Sequence, residues 1–154
     1  LTDKMEKAWQ QTGGNIQAVM HAMIDAEESW QEENEKFKTP REFVVSAYRA
    51  AGRKRINTNG VINSLRILGQ TPFSAGSPAG FGDSQEDWDG GSALMARIDW
   101  SVNVAGKTKH MAKPFMEASL GSRVSEHTQK SVLRAESREL ALVLVLMSPE
   151  FQRR

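Results

Sequence analysis

Two groups of side chains in this sequence have the types to do chemistry. The first is an acidic run, Asp83, Glu86, Asp87 and Asp89. Clustered carboxylates can hold a hard cation or divide acid and base work between them. A calcium loop needs alternating acids, Gly at its sixth position and Glu at its twelfth, and this run departs from that spacing. It reads as a solvated loop face. The second is Arg97, alone on an otherwise apolar helical stripe. A half-buried guanidinium needs acceptors, and the loop carboxylates or loop carbonyls are the natural candidates. Arg97 is therefore expected to clamp the loop to its helix, a reading placed ahead of ligand recognition.

Other chemistries find no residues. The chain has no cysteine, which removes disulfides, thiolate metal sites and Cys nucleophiles. Its histidines, His21, His110 and His127, are scattered without metal-ligand spacing. Gly80-Phe81-Gly82 follows no strand, so it is not a dinucleotide signature. No catalytic, cofactor-binding or metal-binding residue is assigned.

The acidic run lies in a segment, Gln70 to Gly90, whose content of Gly, Pro and Ser excludes regular structure. At about twenty residues it is too long for an ordinary connector, so it must be pinned down or touch something. Phe73, Phe81 and Trp88 are expected to do the pinning, with Trp88 as main anchor. Gln70 can bond loop backbone from the preceding helix end. Gln70, Phe73, Phe81, Asp83, Trp88 and Arg97 together make the candidate binding surface.

The elements that must hold this loop are helical. Leu1, Met5, Ala8 and Trp9 share one face, and Gly13-Gly14 ends that helix. Ile16, Val19, Met20, Met23 and Ile24 predict a second. Thr39-Pro40-Arg41-Glu42 has the form of a capping box, followed by a stripe of Phe43, Val44, Ala47, Tyr48 and Ala51. Asn57 to Asn59 can cap a helix with inner face Val61, Ile62, Leu65 and Leu68. Beyond the loop, Leu94, Met95, Ile98, Val102 and Ala105 form the next stripe. Phe115, Met116 and Leu120 mark a short helix, and Val132 and Leu133 mark another after Ser125. Leu140 to Met147, opened by Ser137, is apolar on every side, which predicts burial nearly all round. The expectation is an all-α domain over residues 1–154: an irregular bundle of about seven or eight helices with one long ordered loop.

Composition agrees with a folded globular domain: 154 residues, 39% apolar and 25% charged. A net charge of +1 gives no general attraction to nucleic acid. No apolar run is long enough for a membrane span. Locally, Asp25, Glu27, Glu28, Glu32, Glu33 and Glu35 form an acidic cluster, and Arg49, Arg53, Lys54, Arg55 and Arg66 a basic one. Both read as solvated faces.

The punctuation resembles the bacterial family catalogued as domain of unknown function 1800. The matching pieces are Lys38-Thr39-Pro40-Arg41-Glu42-Phe43 with Arg49 and Gly52, and Leu68-Gly69-Gln70 with Phe73. They continue through Pro78-Ala79-Gly80-Phe81 with Trp88, Leu94 with Arg97, and Ser148-Pro149-Glu150-Phe151-Gln152. Family members usually carry Trp or Tyr where Phe81 stands, and often Pro in place of Gly82. The resemblance implies the C-terminal part of a longer, mostly helical protein with no established activity. It also implies a partner from domain of unknown function family 1501, encoded nearby, and through that association a periplasmic or envelope location. Two functions follow as expectations. One is a helical interaction or structural module that packs on the remainder of its own protein. The other is part of an envelope hydrolase-like enzyme whose catalytic groups lie on the N-terminal half. A pocket beside the loop with two perturbed carboxylates would mark the enzyme.

Overall fold

The structure, a computed structural model, describes residues 1–30, 36–53 and 55–154. Glu32, Glu33 and Glu35 of the acidic cluster and Lys54 of the basic one lie outside the described residues. The protein is all-α. Among the described residues there is no strand, only an isolated bridge between Phe37 and Arg153. The chain forms two compact units, Leu1–Asn34 and Glu35–Arg154.

The first unit is a helical hairpin of α1 (Thr2–Gln11) and α2 (Ile16–Ile24). Gly13 and Gly14 both take positive φ, which lets the chain reverse there at no Cβ cost. Gly14 N–H donates to Trp9 O at 2.9 Å, closing the first helix. Asn15 caps the second by accepting from Ala18 N–H. Lys4 reaches Glu28 at 2.7 Å and draws its carboxyl below the usual range.

The second unit holds α3 (Pro40–Ala50), α4 (Thr58–Ile67), α5 (Gly91–Lys107), α6 (Ala112–Leu120), α7 (Glu126–Leu133), α8 (Arg138–Leu146) and the short α9 (Pro149–Gln152). The helix starts are set by side-chain caps from Thr39, Asn57, Ser125, Ser137 and Ser148. The Thr39–Glu42 box is complete: Thr39 N–H donates to Glu42 Oε2 at 2.9 Å, and Thr39 Oγ1 accepts from Glu42 N–H.

Helix α8 is the centre of this unit, packed by α5, α6, α7 and α9. Ala141, Leu142, Val145 and Leu146 are buried. The sequence predicts burial nearly all round, and the structure corrects this: Leu140 is exposed, and Val143, Leu144 and Met147 are half-buried. An aromatic cluster carries the core toward α3 and α5, with Phe43 at 5.2 Å from Trp100 and edge-on to Phe151 at 5.9 Å.

Helix α5 corrects the sequence reading most. Of its expected stripe only Ala105 is buried; Leu94 is half-buried, while Met95, Ile98 and Val102 face solvent. The buried face is Arg97, Trp100, Ser101, Val104 and Ala105. Two helical stripes were available, and the one carrying Trp100 removes more apolar area from water. It also brings Arg97 to acceptors that satisfy it. Similarly, Ile62 and Leu133 are exposed while Ser64 and Thr128 take inward positions on their helices.

Candidate functional site

The Gln70–Gly90 loop starts at a helix end built for reversal. Gly69 has φ +85, and Gln70 N–H donates to Leu65 O at 2.8 Å. The Gln70 side chain then leaves its own loop. Its Oε1 accepts from Arg41 N–H at 2.8 Å, satisfying one of the orphan donors in the first turn of α3. The expected bond to loop backbone is replaced by this tie between two helix ends.

Farther along, the loop folds on itself. Trp88 is 6% exposed, and its indole N–H donates to Gly82 O at 3.0 Å. Phe81 stands 6.2 Å from it, ring to ring. Ser84 and Asp87 form a miniature capping box around Gln85–Asp87, which holds the Asp87 carboxyl below its usual range. A Cβ at Gly82 would lie 2.1 Å from the Asp87 carboxylate carbon, so a larger residue there would have to displace that side chain from its bonds to Ser84. Asp83 pairs with Lys36.

Phe73 does not pin the loop. It is fully exposed, and it is the one non-glycine residue at positive φ (+59) among the described residues. Ser74 N–H donates to Thr71 O at 3.2 Å, so Thr71-Pro72-Phe73-Ser74 is a type II turn. Phe occupies the position where Gly or Asn is usual, because L side chains meet steric strain there.

Arg97 also departs from expectation. It meets neither the loop carbonyls nor Asp83, Asp87 or Asp89. Its guanidinium is buried (1% exposed), donating to Gln152 Oε1 at 2.5 Å and to Lys38 O at 2.6 Å. The rings of Phe37 and Phe43 lie 4.5 and 5.0 Å from its central carbon. Burial pushes its pKa down to about 10. Aromatic faces and carbonyl dipoles supply the negative potential that a carboxylate would otherwise give.

The segment 36–38, of which the sequence singles out only Lys38 and only for the family resemblance, joins these parts. Lys36 pairs with Asp83 of the loop; Phe37 and the Lys38 carbonyl receive Arg97. The same segment bonds to the chain end: Lys36 and Arg154 exchange two backbone hydrogen bonds, and Lys38 N–H donates to Gln152 O at 2.8 Å. Lys38 Nζ donates to Phe151 O at 2.6 Å and sits over the Phe151 ring. Its pKa is held down to about 8, first by burial and then by repulsion from Arg123. The segment thus reaches the loop through Asp83, and reaches Arg97 and Gln152 through Phe37 and Lys38. One signal for Gln152 was present in the sequence. A buried Arg with no acid on a neighbouring turn requires a neutral acceptor, and Gln152 follows the last apolar helix.

The histidines stay apart. His110 Nε2 lies 2.9 Å from Ala51 O and His21 is exposed, and among the described residues no three potential ligands converge to hold a metal ion. No described helix is long and apolar enough to cross a membrane.

Fold and site together define an all-α chain whose second unit carries a buried arginine lock and a self-folded surface loop. The family model described as "Protein of unknown function (DUF1800)" matches residues 1–153, and the chain belongs to that family. No curated protein and no solved structure matches it.

Proposed function

We propose that this chain is a helical interaction module of a bacterial envelope protein, with the 70–90 loop as its partner-facing surface. The observation that carries the reading is Phe73. A large ring is presented entirely to water on a backbone conformation that costs about 1–2 kcal/mol for an L side chain. Strain of this kind, kept where glycine would relieve it, points to use of the side chain. Exposed aromatics on a fixed turn are suited to anchoring a protein partner, because the backbone is already ordered and a Phe side chain has only two torsions left to fix. The family resemblance makes a neighbouring family 1501 protein the first partner to test, beside the remainder of this chain's own protein.

The test is co-purification of the naturally encoded protein with that neighbour, with Phe73 changed to Gly and separately to Asp. Phe73→Gly relieves the strained φ, so the melting temperature should hold or rise while capture falls about tenfold or more. Unchanged capture by both variants would overturn the reading.

A further inference from the structure

Helices α4 and α5 border a groove of about 390 Å³ that neither the loop nor the Arg97 lock uses. Its α5 wall is one helical stripe running from Asp99 through Trp100, Asn103 and Val104 to Lys107. Trp100, 5% exposed, and Val104 form an apolar floor, with Ile67 opposite. Amides stand on both walls. Asn63 makes no side-chain hydrogen bond among the described residues, and Asn103 donates to Asp99 O, leaving its Oδ1 to accept. Each can serve the N–H and C=O groups of another main chain.

The groove is also polarised. Asp99 lies at one end of the stripe and Lys107 at the other, about 12 Å away along the helix. Arg53 joins Lys107, and both also line an adjoining hollow with Arg55, Lys109 and His110. Among the described residues no carboxylate lines that hollow. Arg53, Arg55, Lys107 and Lys109 make no ion pair among the described residues. The Tyr48 ring, 5.2 Å from the Arg53 guanidinium, and the carbonyl end of α5 account for two of these cations, not for all four.

We propose that this groove binds an extended peptide segment of a protein partner, with a carboxylate side chain at the Arg53–Lys107 end and a basic side chain at Asp99. The two amides decide against a helix, which bonds its main-chain groups internally and leaves none for Asn63 and Asn103 to hold. An extended chain rises about 3.3 Å per residue, so the two charges stand about four residues apart. Apolar side chains between them rest on Trp100 and Val104, and the two asparagines hold the main chain.

Panning the full chain against a phage library of random dodecapeptides tests this. Enriched peptides should carry an acidic and a basic residue about four positions apart, with apolar residues between. Asn63→Leu and Asn103→Leu, both at exposed positions, should weaken a synthetic copy of the best peptide about tenfold while leaving the melting curve unchanged. Lys107→Glu should shift selection toward a basic residue at the acidic position. Three outcomes would overturn the proposal. One is no enrichment. Another is enrichment of purely acidic peptides that the asparagine variants bind equally, which would mean attraction to the basic hollow alone. The third is self-association in sedimentation runs that Asn63→Leu abolishes, which would make a second copy the occupant.

Discussion

Arg97 and Gln152 meet in the interior of the second unit, the guanidinium donating to the amide oxygen across 2.5 Å. The amide cannot turn away, because its Nε2 donates to Leu146 O at 2.7 Å. A buried cation is thus held by a neutral side chain whose orientation is fixed from its other end.

Removing either partner should expose that dependence. Gln152→Leu leaves a buried donor without its acceptor and is expected to cost about 1–3 kcal/mol in urea unfolding. Replacing both partners, Arg97→Met with Gln152→Leu, should cost less than the sum of the single changes, since no charge is then stranded. Strict additivity would show that the pair is not coupled.

Lys38 should give stability an alkaline dependence. Its folded pKa is about 8, below the ordinary lysine value of 10.5, chiefly because it is buried. Below pH 8 both folded and unfolded chains carry the proton, and the penalty for burying the charge is fully present. Between about 8 and 10.5 the unfolded chain binds a proton that the folded chain lacks, so stability should rise with pH across that window. Urea melts from pH 7 to 10 would measure the rise, and Lys38→Met should flatten it.

The core offers a contrast within one helix. Leu142 is buried and Leu144 only half-buried, so Leu142→Ala should cost about 2–5 kcal/mol and Leu144→Ala distinctly less. At the start of α3, Thr39→Ala should cost about 0.5–2 kcal/mol through loss of the capping box. Denaturant melts of the three variants against the parent sequence give the order directly.

In the loop, Gly82→Ala forces a methyl against the Asp87 carboxylate and should cost about 1–3 kcal/mol. The Trp88 indole would lose its seat on the Gly82 carbonyl, which near-UV circular dichroism should register. Gly82→Ala combined with Asp87→Ala should recover part of the signal, because the clash is with that carboxylate.

Much of the fold was legible because it is written in local chemistry. Thr39, Asn57, Ser125, Ser137 and Ser148 each cap the helix that follows, and caps need only a few neighbouring residues. The inner face of α5 was less so. Its apolar residues allow two stripes, and the choice is made by Trp100 meeting Phe43 and Arg97 meeting Gln152, partners 57 and 55 residues distant in sequence. The candidate surface divides in the same way. Trp88 and Phe81, both expected to pin the loop, find each other within a short turn. Phe73 faces solvent because the turn takes positive φ at that residue, a choice that Pro72 permits without dictating, since Pro suits the second position of type I and type II turns alike.

The bridge between residues 36–38 and 152–154 also sets how the second unit would answer tension. Lys36 and Arg154 are paired directly, so force applied at those residues falls first on their two backbone bonds. The Lys38–Gln152 bond is loaded next, and the Arg97 fork, which grips both of those residues, only after it. The segment would open in the manner of a zipper, bond after bond, and the load would reach α8 only at Gln152, through its bond to Leu146 O.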